Sequence, residues 1–147
     1  MFWLDGEVTH YCLAYYIQQK IDSKFYAIFD VTNHPKNFFK NQKLVSFENF
    51  WFYHDFIHEL DKKPDLEYLS AIEKKFNLNL WEMACNDRMF YLYNDYHKFT
   101  SNEILRILEL ECRNFEKILD EVQPDFVITP ETALRPHSLF HTMCKSR

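Results

Sequence analysis

Carboxylates and imidazoles are the side chains best able to move protons near neutral pH, and here they gather at a few places. Asp5, Glu7 and His10 surround Gly6, the only glycine among 147 residues. Any of the three could take the proton of a hydroxyl as it attacks an electrophile. A second group holds Glu131, Thr132 and Arg135. An arginine near a helix start suits a phosphate or a sugar carboxylate. A third holds Arg88 among Asn86, Asp87, Tyr91, Tyr93, Asn94 and Asp95. Each group also has a plain reading. Asp5 and Glu7 can be turn residues, His10 a first-turn surface residue, and Arg135 a partner of Glu131 at i,i+4. Arg88 can pair with Asp87 or Glu82.

Two histidine pairs, His54/His58 and His137/His141, have the one-turn spacing that lets a helix hold a metal. No third carboxylate ligand stands in register, and seven histidines make such spacings common by chance. No metal or cofactor is expected. Cys12, Cys85, Cys112 and Cys144 form no CxxC pair, which argues against a zinc knuckle and for reduced cytoplasmic thiols. One glycine cannot build a dinucleotide fingerprint or a Walker loop, which need two or three where backbone meets phosphate. The net charge is -5, so the basic footprint of a nucleic-acid binder is missing. There is no signal-peptide pattern at the start and no membrane-length apolar run.

The elements that would position these residues follow from pattern. Phe2-Trp3-Leu4 reads as a first strand ending at the glycine, and residues 8–20 as a helix capped by Thr9. Residues 25–31 form a second strand, and Thr32-Asn33-His34-Pro35 a loop. A third strand lies within residues 43–53. Residues 65–76, 79–92 and 101–122 carry helical apolar stripes. The last of these keeps one face from Ile104 to Leu119 for about six turns. Residues 125–129 make a short buried fourth strand, and a last helix runs from Glu131 to Lys145. The dense aromatic run at 47–55 reads as a strand buried on both faces, with a sugar-stacking platform as the alternative.

This alternation predicts an α/β Rossmann-like three-layer domain spanning 1–147, with a mainly parallel sheet of about four strands in order 3-2-1-4. Its ligand crevice would lie at the strand C-terminal ends, beside strands 1 and 4. That collects Asp5, Gly6, Glu7, His10, Glu131, Thr132 and Arg135 at one edge.

The layout of residues 102–147 (NEILRILELECRNFEKILDEVQPDFVITPETALRPHSLFHTMCKSR) resembles the N-terminal Rossmann-like domain of GT-B type glycosyltransferases. It is most similar to capsular or surface polysaccharide biosynthesis proteins. The opening FWLDGEVTHYCLAYYIQQKIDSKFYAIFD has a similar strand–loop–helix–strand order. The resemblance implies an acceptor-side half, with nucleotide-sugar held by a second domain that this chain lacks. It also implies catalysis through Asp5, Glu7 or His10, and a glycan acceptor near Gly6, Glu131, Thr132, Arg135 and Arg88. The alternative is a non-enzymatic α/β assembly module that dimerises through exposed aromatics.

Overall fold

The structure is a computed structural model that describes every residue except 7, 94 and 131–133. The chain divides into two compact units. One comprises Met1–Phe56 and Val122–Pro130, the other Ile57–Glu121 and Glu131–Arg147. Among the described residues there are a three-stranded parallel sheet, in the first unit, and six α-helices, an α/β protein.

In the first unit, β1 (Phe2–Asp5), α1 (Val8–Gln18), β2 (Tyr26–Asp30), α2 (Asn33–Asn41) and β3 (Asn49–Phe52) follow in chain order. The sheet order is β1-β2-β3, all parallel. Phe2 pairs with Ala27, Leu4 with Phe29 and Asp5 with Asp30. Side chains alternate across the pleat. One face carries Phe2, Leu4, Ala27, Phe29 and Phe52, which share a core with Tyr11 and Ala14 of α1 and Phe39 of α2. Trp3 and Ile28, on the other face, are buried as well. Burial on both faces explains the unbroken apolar runs of the strands.

The aromatic stretch at 47–55 belongs to this core. Phe29 lies 5.6, 5.7 and 5.6 Å from Phe47, Phe50 and Phe52, centroid to centroid. Its ring is 4.7 Å from that of Phe39.

Three expectations need correction here. Among the described residues the sheet has three strands, not about four. On the far side of β1 a single bridge joins Phe2 to Ile128. Trp3 N–H donates to the Ile128 carbonyl at 2.8 Å, and Ile128 N–H donates to the Met1 carbonyl at 3.0 Å. The next donor in that parallel pattern would be residue 130, a proline with no N–H, so the ladder stops. Thr32-Asn33-His34-Pro35 is the start of α2, not a loop. Pro35 stands in the first turn, where a missing N–H costs no helical bond, and buried Phe39 anchors the turn above it. Thr9 lies inside α1 rather than capping it.

The second unit holds α3 (Leu66–Phe76), α4 (Leu80–Cys85), a 3₁₀ turn (Arg88–Phe90), α5 (Ser101–Val122, its last residue in the first unit) and α6 (Arg135–Lys145). Asp65 caps α3 by accepting from Tyr68 N–H. Asn79 caps α4 by accepting from Glu82 N–H. The helix expected over 79–92 breaks at Asn86-Asp87. Asp87 caps the following turn through Met89 N–H at 2.8 Å. The start of the last helix expected at Glu131 falls outside the described residues.

Phe29 is fully buried among aromatic rings. Phe29→Ala should destabilise the protein by about 3–5 kcal/mol through lost burial and a residual cavity. Urea unfolding followed by tryptophan fluorescence measures this. A loss under about 1 kcal/mol would show that the core closes over the gap.

Candidate functional site

The described residues place two Asp–His pairs at the carboxyl edge of the parallel sheet. Asp5 ends β1, and His10 stands in the first turn of α1, just after it. His10 Nδ1 lies 3.1 Å from Asp5 Oδ1, with the side chains 25% and 26% exposed. Asp30 ends β2, and His54 stands in the 3₁₀ turn (Tyr53–Phe56) that follows β3. His54 Nε2 lies 3.1 Å from Asp30 Oδ1. Beside them Lys36 of α2 forms an ion pair with Asp55. The Lys36 ammonium also sits 4.8 Å from the centre of the Phe52 ring.

Each contact sets a tautomer. A carboxylate only accepts, so the facing ring nitrogen carries the proton. At His10 this directs the Nδ1 proton to Asp5 and leaves Nε2 as the basic nitrogen. At His54, Nε2 donates to Asp30. The hydrogen bond to Asp30 raises the His54 pKa above its ordinary 6.5, against partial burial, which lowers it.

Gly6 lies in the bend after β1 with no positive φ. A Cβ built there would meet nothing within 4 Å. The fold therefore does not require glycine at this position, and the edge beside Asp5 is open. Glu7, Glu131 and Thr132 lie outside the described residues.

Arg135 and Arg88 belong to the second unit. The i,i+4 partner suggested for Arg135, Glu131, lies outside the described residues. The Arg135 guanidinium, 1% exposed, forms ion pairs with Glu111 of α5 and, at 2.7 Å, with Asp87. It also packs 4.9 Å from the Phe90 ring centre. Arg88 is exposed at the start of the 3₁₀ turn. Of the two partners suggested for it, Asp87 or Glu82, Asp87 accepts from Arg135 and from Met89 N–H.

Pattern reading missed Asp30, Glu111 and Glu109, and it singled out His54 only as a helical partner of His58. Asp30 and His54 come from different strand ends, and only the sheet topology unites them. Glu111 is charged yet fully buried in α5. Glu109, also buried, accepts from Asp65 N–H, Arg113 and Arg106. Burial pushes its pKa up, but these three partners outweigh that and hold the carboxyl below its usual range. This one was legible, since Arg106 and Arg113 stand at i−3 and i+4.

The 3₁₀ turn ends at Phe56, so the expected helical His54/His58 pairing is not built. Among the described residues no group of three His, Cys, Asp or Glu side chains is placed to hold a metal. Nor is any helix long and apolar enough to cross a membrane. Burial pushes the Cys112 thiol far up and the Cys144 thiol up to about 11, so neither is a ready nucleophile.

No family model, curated protein or solved structure matches the chain.

Two predictions follow from the ionic contacts. Arg135→Met removes the buried ion pairs to Glu111 and Asp87 and should cost about 3–5 kcal/mol. Arg88→Met, at an exposed position, should stay within about 0.5 kcal/mol. Equal effects in urea unfolding would contradict the structural role of Arg135. The second concerns pH. His54 holds its proton more tightly folded than unfolded, so its contribution is complete below the unfolded pKa of about 6.5. It is lost as pH rises through the higher folded value. An NMR titration should place the His54 midpoint above 6.5, and Asp30→Asn should lower it. An unchanged midpoint in Asp30→Asn would break the assignment.

Proposed function

We propose that the first unit is the acceptor-side half of a GT-B-like glycosyltransferase of capsular or surface polysaccharide biosynthesis. The observation that carries this reading is the Asp5–His10 contact at the carboxyl edge of a parallel sheet. That edge is where open α/β sheets bind ligands. The Rossmann-like alternation of β1, α1, β2, α2 and β3 supports it further.

In this reading an acceptor hydroxyl lies over Gly6 and against His10 Nε2. Its oxygen attacks the anomeric carbon of a nucleotide-activated sugar. The bond from that carbon to the nucleotide breaks, and its electron pair leaves with the nucleoside diphosphate. The hydroxyl proton passes to His10 Nε2. Asp5 fixes the ring through Nδ1 and stabilises the imidazolium that forms. The donor is held by a domain outside this chain, so this unit contributes the base and the acceptor contacts.

A second reading has its own observation. Tyr91, Leu92, Tyr93 and Tyr96 of the second unit are all strongly exposed within a short segment. Such a patch suits self-association, as in a non-enzymatic assembly module.

Histidine-selective NMR during titration with polysaccharide fragments tests the first reading. Glycan addition should shift the His10 ring signals, and His10→Gln should lower transfer by about 10²-fold where transfer is measured with the donor half supplied. A glycan panel that leaves His10 unmoved, with sedimentation showing a concentration-dependent dimer lost in Tyr93→Ser/Tyr96→Ser, would replace it with the second reading.

A further inference from the structure

The first unit has a second feature, at the opposite end of its sheet from the Asp–His pairs. A cavity of about 630 Å³ opens where β1 and β2 begin. Its lining includes Phe2 and Phe25, whose rings stack at 5.5 Å and 13°. Ile17 and Ile21, from the end of α1 and the residues after it, form one side. Val127 and Ile128, from the segment bridged to β1, form another.

This volume falls within the range of small-molecule sites, roughly 300–1,000 Å³, and the lining is mostly apolar, as in such sites. The apolar surface continues outward to the mouth. Phe126 is 82% exposed and Ile21 53% exposed. Exposed aromatic and branched side chains cost solvation unless something covers them.

The polar groups at the mouth are few. Ser23 and Lys24 are consecutive and exposed, placing a hydroxyl and an ammonium on one segment. Asp125 is the carboxylate of the lining, which also includes Tyr26 and Met1, whose terminal ammonium donates to the Phe126 carbonyl at 2.7 Å. Among the described residues neither Lys24 nor Asp125 is in an ion pair. A carboxylate can accept from both the Lys24 ammonium and the Ser23 hydroxyl, a pairing that a cationic head cannot make.

We infer that this cavity binds an anionic amphiphile. A hydrocarbon chain lies against Phe2, Phe25, Ile17 and Val127, and its acidic head meets Lys24 and Ser23. The inference is independent of the chemistry proposed for the carboxyl edge, because it uses none of those residues.

Methyl NMR of the intact chain, titrated with decanoate and separately with decanol, tests it. Decanoate should shift the Ile17, Ile21, Val127 and Ile128 methyls in a saturable manner. The methyls of Leu66, Leu69 and Leu105, which line a smaller surface cavity in the second unit, serve as an internal control and should stay in place. Lys24→Gln should weaken decanoate by about two- to five-fold, the scale of one exposed charge pair, and leave decanol unchanged. Asp125→Asn should tighten decanoate by a similar factor. Ile21→Trp, at an exposed position that tolerates bulk, should weaken both ligands by about tenfold or more by filling the mouth.

Three results overturn the inference. One is equal movement of both sets of methyls, which marks surfactant adsorption. Another is decanoate binding that ignores both Lys24→Gln and Ile21→Trp. The third is dilution-dependent shifts of the same methyls without ligand, which would give the mouth to a second copy of the chain.

Discussion

The register of the β1–β2 ladder is the constraint on which the candidate site rests. Leu4 pairs with Phe29 and Asp5 with Asp30. A slip by one residue would carry Leu4 and Phe29 from the shared core to the other face, so burial holds the register firmly. Both strands therefore end in an aspartate at the same level, about one strand spacing of 4.8 Å apart. Each is turned to its own imidazole, His10 or His54. The arrangement is thus dictated from the apolar side of the sheet: Phe29 is held by its aromatic neighbours, Asp30 follows Phe29, and His54 follows β3.

The second unit solves a different problem. α5 buries two carboxylates, Glu109 and Glu111. Removing an ion from water costs several kcal/mol unless partners are placed with good geometry. Glu109 finds two arginines of its own helix and the amide that begins the α3 cap. Glu111 finds Arg135 of α6, which also reaches Asp87. These contacts fix where α3 starts and where α6 docks on α5. They are demanding in orientation in a way that leucine against leucine is not. Arg135, which a helix start suggests as an anion contact when read from sequence, is buried in these ion pairs.

Legibility followed the locality of the interaction. α5 was readable along its whole length because its stripe and its flanking Ser101 and Pro124 are local signals. α3 was readable because Asp65 is a side-chain cap and Lys74-Lys75 close the helix. α2 was not, because a proline weighs as a breaker unless it is placed within the first turn. The fourth strand was overcalled for the converse reason. Phe126, Val127 and Ile128 are strand-like, but Pro130 removes the next ladder donor, and Phe126 stays exposed. In the candidate site, Asp5 and His10 were legible because they are separated by only a turn. The contact between Asp30 and His54 was not, because nothing local links a strand end to a 3₁₀ turn beyond the next strand.

The scarcity of glycine bears on the same edge. A chain with one glycine must put other residues wherever the backbone turns left-handed. Glu59, Asn77 and Gln123 do so, with φ of 51°, 49° and 45°. Each such residue costs on the order of 1–2 kcal/mol relative to a right-handed one. Asn77 offsets part of this by closing α3, where its own N–H and that of Leu78 both reach the Glu73 carbonyl. Gly6 relieves none of these positions. It stands between Asp5 and α1 with no positive φ and with room for a side chain. Conformation therefore does not explain why the only glycine is there. Gly6 directly follows Asp5, at the strand ends that carry the Asp5–His10 and Asp30–His54 contacts, and the open space at its Cβ position leaves the backbone there accessible.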